Sequence, residues 1–267
     1  MRKQTIRIVL IILAVVSFIG SILVPGIQSK VSLSEAMKEA VVHDVEKVDL
    51  FGLIQVNPAV VSAFVVSGIL IIFAIIVRIF VIPKFKKVPG KFQLLLEQAV
   101  SSFRNLAKDN SPHRYGFLGL YVFVAGVYIA FSTLFELSGL QVITTTGDSI
   151  ALPAPLSDLN VAISMAVLSF LTILSGGVIS NGIKGVGKTL KEFSLPISMS
   201  FRLFGALVSG LLVTDLVYHT IFLSYGIPVI VAVLFTLLHA AIQAYVLTLL
   251  TSIFYGEVSE VHQIHEN

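Results

Sequence analysis

Long apolar runs separated by short polar stretches dominate this chain, and the runs have the lengths of membrane crossings rather than of helices in a water-soluble core. Residues 1–26 start with Met1-Arg2-Lys3-Gln4-Thr5-Ile6-Arg7 and stay apolar to Val24, the pattern of a secretory signal peptide or a retained signal-anchor helix. The run is long for a signal-peptide core and no small-x-small cleavage site follows it, so the sequence favours retention. Residues 27–57 are mixed and charged, with an amphipathic piece at Ser34 to Val48, and read as an extramembrane segment.

The next crossing is predicted over Pro58 to Ile82, long enough at about 1.5 Å per residue for a hydrocarbon layer of roughly 30 Å. Arg78 lies near its end and can snorkel to the interface. Lys84 to Asn110 differs in kind: after a lysine- and proline-containing start, Phe92, Leu96, Ala99, Phe103 and Leu106 recur at helical spacing. That pattern predicts an amphipathic helix lying on the membrane surface. Tyr115 to Ser138 and Val161 to Ile183 are further crossings, separated by a loop with Gly139, Gly147, Asp148, Pro153, Pro155, Asp158 and Asn160. Leu195 to about Phe222 and Ile227 to about Tyr255 complete the set, joined across Ser224-Tyr225-Gly226, with Pro228 suited to a first helical turn. Both exceed the length needed to cross, which predicts a long, tilted hairpin. The fold class expected is an all-α membrane protein with about six long hydrophobic helices and one surface helix. Its divisions are an N-terminal part over 1–57, a membrane domain over 58–260 and a polar tail over 261–267.

Composition agrees with this pattern. Of 267 residues, 56% are hydrophobic and 12% charged, which excludes an ordinary soluble domain. Cysteine is absent, so disulfides and thiolate metal sites are excluded, and a formal net charge of +3 is too small to suggest a nucleic-acid partner. No metal or cofactor motif stands out.

The distribution of lysine and arginine sets the orientation. Arg2, Lys3 and Arg7, then Arg78, Lys84, Lys86, Lys87, Lys91, Arg104, Lys108 and Arg114, then Lys184, Lys188 and Lys191 all fall on one side if the chain crosses six times with both termini cytoplasmic. The opposite loops, 139–160 and 223–226, contain neither residue. After Lys191 a single cation of this kind remains, Arg202, and it lies inside an apolar helix. A guanidinium at mid-bilayer costs from roughly 2.5 to 17 kcal/mol depending on its surroundings, so this residue requires an anion to meet it.

Several residues surround that requirement. Gly205, Ala206, Ser209 and Gly210 form pairs four apart and give the arginine helix a thin side, which lets another helix approach closely. Asp215 and His219 lie further along the same helix, while Thr236, His239 and Gln243 share one face of the last helix. With Glu136 and Asp158 at the outer ends of their segments, they form a candidate hydrated path from outside to mid-membrane.

Two other motifs are weaker. Gly182-Ile-Lys-Gly-Val-Gly187-Lys188-Thr189 satisfies the phosphate-loop pattern, but no strand precedes it and no nucleotide-binding sheet surrounds it, so it reads as a flexible basic loop between crossings. Ser209 with His239 could suggest an intramembrane hydrolase; no G-x-S-x-G is present, and a small packing residue accounts for the serine.

The stretch SLPISMSFRLFGAL (194–207), together with Gln243-Ala244-Tyr245, VPGKFQ (88–93) and PLSDLNVAISMA (155–166), resembles subunit a of the F-type ATP synthases. The resemblance runs from about Asn57 to Glu260. It implies a non-catalytic stator subunit in a multi-pass membrane protein, with a bacterial plasma-membrane setting and a cytoplasmic C-terminus. The implied partners are a ring of c subunits, a b-type peripheral stalk and translocated H⁺ or Na⁺. It further implies that Arg202 separates two offset half-channels, with Gln243, Asp215, His239, Glu136, Asp158 and His219 serving the outer one. Gly205, Ala206, Ser209 and Gly210 would face the rotor, and Glu192 and Ser198 would mark the inner half-channel. Many members carry asparagine and an acidic residue where this chain has Ala206 and Leu211, and others carry histidine at Thr236. Asp215 and His239 are the expected replacements. The alternative reading is a secondary transporter with Arg202 as an anion ligand, a class marked by inverted repeats and broken helices that this sequence does not display.

Overall fold

The structure is a computed structural model that describes residues 48–50, 54–143, 149–219 and 227–260. The expected N-terminal helix over 1–26, the turn at 224–226 and the tail over 261–267 lie outside the described residues.

Six α-helices and two short hairpins make up the described chain. Strands β1 (Val48–Leu50) and β2 (Ile54–Val56) pair antiparallel, Val48 opposite Val56. They lead into α1 (Pro58–Ile76), which Asn57 caps by accepting the N–H of Ala59, with Pro58 at the start where its missing donor costs nothing. Beyond Ile76 the winding loosens to a π-turn (Val77–Val81) and then tightens to a 3₁₀ turn (Ile82–Lys84). Helix α2 (Lys91–Asn110) and α3 (Tyr115–Leu134) follow, α3 ending in a 3₁₀ turn (Phe135–Ser138). The loop after it contains β3 (Gln141–Ile143) paired antiparallel with β4 (Ser149–Ala151). Then come α4 (Leu159–Lys191), α5 (Ser194–His219) and α6 (Ile227–Ser259).

Among the described residues, four stretches are long and apolar enough to cross a membrane: Pro58–Lys84, Tyr115–Ser138, Leu159–Lys191 and Val229–Ser259. Helix α5, with 26 residues, has the length as well. The chain forms two compact units: one takes in Val45–Leu207 and the chain from Thr236 onward, and the other includes Val208–Phe235. The core lies in the larger unit. One cluster joins Ala125 and Ile129 of α3, Ala162, Met165 and Ala166 of α4, Met199 and Leu203 of α5, and Ala244 and Leu247 of α6. A second joins Ala107 of α2, Leu118 and Val122 of α3, Ile173 of α4, Leu195 of α5, and Tyr255 and Val258 of α6. Small residues recur in both, as expected where helices meet without a hydrophobic driving force between them. Helix α1 is different: Phe64, Ile71 and Ile72 stand exposed, and only one face, at Ala59, Ser62 and Val66, is buried.

Two expectations change. Helix α2 does not lie free on a surface along its whole length. Ala107 is fully buried and Phe103 and Leu106 pack against the second core cluster, while Phe92, Leu94 and Leu95 stay exposed. Glycines on α3 make the room: the ring of Phe103 occupies the place of a side chain at Gly126, and Ala107 lies against Gly119. The residues of the phosphate-loop pattern are not a flexible loop. Gly182 adopts φ 56° and ψ −134°, a backbone that L side chains rarely reach, and the chain resumes helical winding to Lys191. The chain reverses there, because the backbones of Gly177 and Gly185 touch, whereas eight residues along a straight helix would separate them by about 12 Å. Thr189 is fully buried and donates its hydroxyl to the Gly185 carbonyl at 3.0 Å, so this stretch has no open cradle for a phosphate.

Candidate functional site

Helix α5 buries one side and leaves the other open. Leu195, Pro196, Met199, Ser200 and Leu203 are buried, at spacings of three and four that keep them on one face. Ile197, Ser198, Phe201, Arg202 and Gly205 are exposed on the other. A Cβ built on Gly205 would meet nothing within 4 Å, so the space beside Arg202 is open. Among the described residues Arg202 forms no ion pair. Ala206, one turn on, is half-buried; in the second unit Ser209 is exposed and Gly210 half-buried. Asp215 and His219 fall on α5 by sequence, and their side chains lie outside the described set.

Helix α6 brings the opposite character. Thr236, Ala240, Gln243, Ala244 and Leu247 are buried and form one face of the helix. Leu203 and Ala244, the residues that follow Arg202 and Gln243, share the first core cluster, which sets α5 beside α6 at this point. The Gln243 side chain is 7% exposed and its Oε1 has no hydrogen-bond partner among the described residues. An unpaired amide oxygen in a packed interior costs about 1–3 kcal/mol, so this position is held at some expense to stability. His239 is half-buried on the same helix and lies within electrostatic reach of the exposed Glu136 in the 3₁₀ turn after α3. Among the described residues expected to line an outer path, His239 and Gln243 lie on the same helix and Glu136 is within electrostatic reach of His239.

Asp158 has architectural work. Its Oδ1 accepts the N–H groups of Asn160 at 2.8 Å and Val161 at 3.2 Å, capping α4. Its Oδ2 accepts Asn57 Nδ2 at 2.5 Å, and Asn57 in turn caps α1. One carboxylate therefore ties two helix starts together, favourably placed against their positive ends. Sequence reasoning missed Asn57, although Asn-Pro before an apolar run is a helix-start signal. Glu192 ends α4, with its carbonyl accepting the Leu195 N–H at 2.9 Å; Ser198 lies one turn before Arg202 on the open side.

The far end of α6 carries a set of contacts that the sequence did not announce. Asn181 Nδ2 donates to the carbonyls of Val258 at 2.8 Å and Glu260 at 3.1 Å, and Lys188 Nζ reaches the Glu260 carbonyl at 3.5 Å. His113 Nε2 bonds Ser259 Oγ at 2.8 Å. A Cβ on Gly176 would lie 2.5 Å from the Tyr255 ring, and one on Gly256 would collide with the Asn110 carbonyl. Asn181 of the α4 corner thus meets the Val258 carbonyl in the last turn of α6, and Asn181 and Lys188 together meet the Glu260 carbonyl just beyond it.

No group of three or more metal-ligating side chains occurs among the described residues. The arrangement provides a cation on an open helix side, a buried amide on the neighbouring helix, and an acid and an imidazole within electrostatic reach of each other. A family model described as ATP synthase A chain matches residues 60–256, from the first turn of α1 to the last turn of α6.

Proposed function

The chain belongs to the ATP synthase A chain family and is a membrane stator subunit of an ATP synthase, and we propose that its Arg202 divides two offset half-channels through which H⁺ or Na⁺ reaches and leaves a carboxylate on each subunit of a rotating c-ring. The observation that carries the proposal is the exposure of Arg202 on the open side of α5, beside the empty space at Gly205. A guanidinium in an apolar helix with no ionic partner in its own described structure calls for an anion from outside.

A rotor carboxylate brought within about 4 Å of it is attracted by about 4 kcal/mol at an effective dielectric of 20. That attraction favours the ionised carboxylate, so the bound ion leaves before the site passes Arg202 and a new one loads afterwards. The same charge blocks an ion from running straight between the half-channels. Each elementary charge crossing gains about 2.3 kcal/mol per 100 mV, and the offset of the two paths turns that energy into rotation.

Glu136, His239 and Gln243 serve the outer half, with Asp215, His219 and Asp158 toward its mouth; Glu192 and Ser198 serve the inner half. Ser209 and Gly210 continue the thin side toward the rotor along with Gly205 and Ala206. The membrane domain spans 58–260, a b-type stalk holds it against the ring, and the setting is a bacterial plasma membrane with the C-terminus in the cytoplasm.

The test uses vesicles carrying the assembled complex. Arg202→Ala abolishes ATP synthesis driven by an imposed gradient and raises passive proton leak, with subunit composition unchanged. Unchanged synthesis in that variant overturns the proposal.

A further inference from the structure

The segment between α1 and α2 holds a concentration of positive charge that the ion path does not use. Arg78, Lys84, Lys86, Lys87 and Lys91 fall within fourteen consecutive positions, 78–91, that contain no acid. All five are exposed, and none is ion-paired among the described residues. Large apolar side chains alternate with them and are exposed too: Phe80, Ile82, Phe85, Val88 at 83% and Phe92.

The segment is also held in shape. Gln93 Oε1 accepts the Lys86 N–H at 3.1 Å, and Gln93 Nε2 donates to the Lys86 carbonyl at 3.0 Å. The same Nε2 donates to Glu97 Oε1 at 2.7 Å, which occupies the nearest acid in the sequence. One glutamine therefore closes the turn on both sides of Lys86. The π-turn and 3₁₀ turn before it direct the chain out of α1 with Arg78 and Lys84 already exposed.

We infer that this turn is a binding site for the headgroups of anionic phospholipids. Cations alone would suit any polyanion, soluble or not. Phenylalanines and Val88 interleaved with the lysines need an apolar cover at the same place, and a lipid supplies phosphate and acyl chain together. The turn directly continues α1, whose exposed flank is itself lined by large apolar side chains. A general excess of cytoplasmic lysine sets orientation without requiring any fixed lipid; a turn closed by Gln93 presents its charges in a fixed arrangement.

The test is made on the assembled complex in bilayers of phosphatidylglycerol and phosphatidylcholine, by counting each lipid retained after detergent washing. Unaltered protein retains phosphatidylglycerol in preference, and 0.5 M salt weakens the preference because the Debye length falls to roughly 4 Å. Lys84→Gln, Lys86→Gln, Lys87→Gln and Lys91→Gln combined lose the retained phosphatidylglycerol, with subunit composition unchanged. A matched comparison removes two exposed cations at each of two places: K86Q/K87Q loses anionic lipid, and K184Q/K191Q keeps it. Equal losses in the two pairs, or none in the fourfold variant, overturn the inference. So does a fourfold variant that keeps its phosphatidylglycerol but loses a stalk subunit, which would make the turn a protein interface.

Discussion

The end of α6 around Tyr255 and the side of α5 around Arg202 belong to the same bundle and are built in opposite ways. At the α6 end, Tyr255 is 1% exposed, glycines at 176 and 256 admit a ring and a carbonyl, and Asn181, Lys188 and His113 bond the last turn. At the α5 side, Arg202 is exposed and Gly205 faces open space. Glycine serves both places with opposite consequences: at 256 it permits contact, at 205 it leaves a gap. A stator needs both, because a surface past which another subunit slides must stay clear while the helices that carry it stay fixed.

The largest effect is expected at the clamped end of α6. Gly256→Ala forces a methyl group into the Asn110 carbonyl, and because the obstacle is backbone, the helix end must shift. Overpacking of this kind costs about 1–3 kcal/mol, read as a lower unfolding midpoint in detergent and as less assembled complex in the membrane. Unchanged stability would show that the α6 end is not clamped. Asn181→Ala comes next: it removes the donor to the Val258 carbonyl in the last turn of α6 and to the Glu260 carbonyl just beyond it, and is expected to cost about 1–2 kcal/mol in the same measurement. Asn181→Asp keeps the shape, loses both donors and sets a negative charge at the negative end of α6, so it is expected to be at least as damaging.

How far the sequence disclosed this arrangement depends on whether the cause was local. Helix existence followed from run length, and Arg202 stood out because its surroundings are apolar for many residues on either side. The outer loop and the start of α6 at Ile227 followed from turn and proline signals. The chain reversal at Gly182 did not, since a run of glycine and lysine reads as loop; the contact of Gly177 with Gly185, which holds it in a helical corner, is not visible in the sequence. Helix α2 was legible as amphipathic, but a stripe of apolar residues reads the same whether a membrane or Gly126 of α3 receives it. Asp158 looked like a channel-mouth acid because its partner Asn57 is 101 residues away.

That double role of Asp158 supplies a smaller effect. Asp158→Ala loses the cap of α4 and the bond to Asn57 and is expected to cost about 1 kcal/mol. Asp158→Asn keeps a capping oxygen for α4 but turns an amide N–H toward the Asn57 amide N–H, so it removes the charge and the bond to Asn57 together and is expected to cost somewhat less than Asp158→Ala. Asn57→Ala loses the same bond and keeps the carboxylate, so the two variants together isolate the charge: ATP synthesis that falls in Asp158→Asn but not in Asn57→Ala assigns the carboxylate to the ion path, and synthesis unchanged in both leaves it a cap alone.

The smallest expected change in stability comes from the same chemical substitution that gives the largest. Gly205→Ala adds a methyl group where nothing lies within 4 Å, in a helix where alanine is preferred over glycine by about 1 kcal/mol. The unfolding midpoint should stay level or rise slightly. If the open side is where a rotor helix passes, that methyl group meets the partner instead of this chain, and gradient-driven ATP synthesis falls although the subunit is no less stable. A variant with full stability and full synthesis would show that no partner approaches Gly205 closely. Since the added group is identical at 205 and 256, any difference in outcome comes from what each glycine faces: its own bundle at 256, and open space at 205.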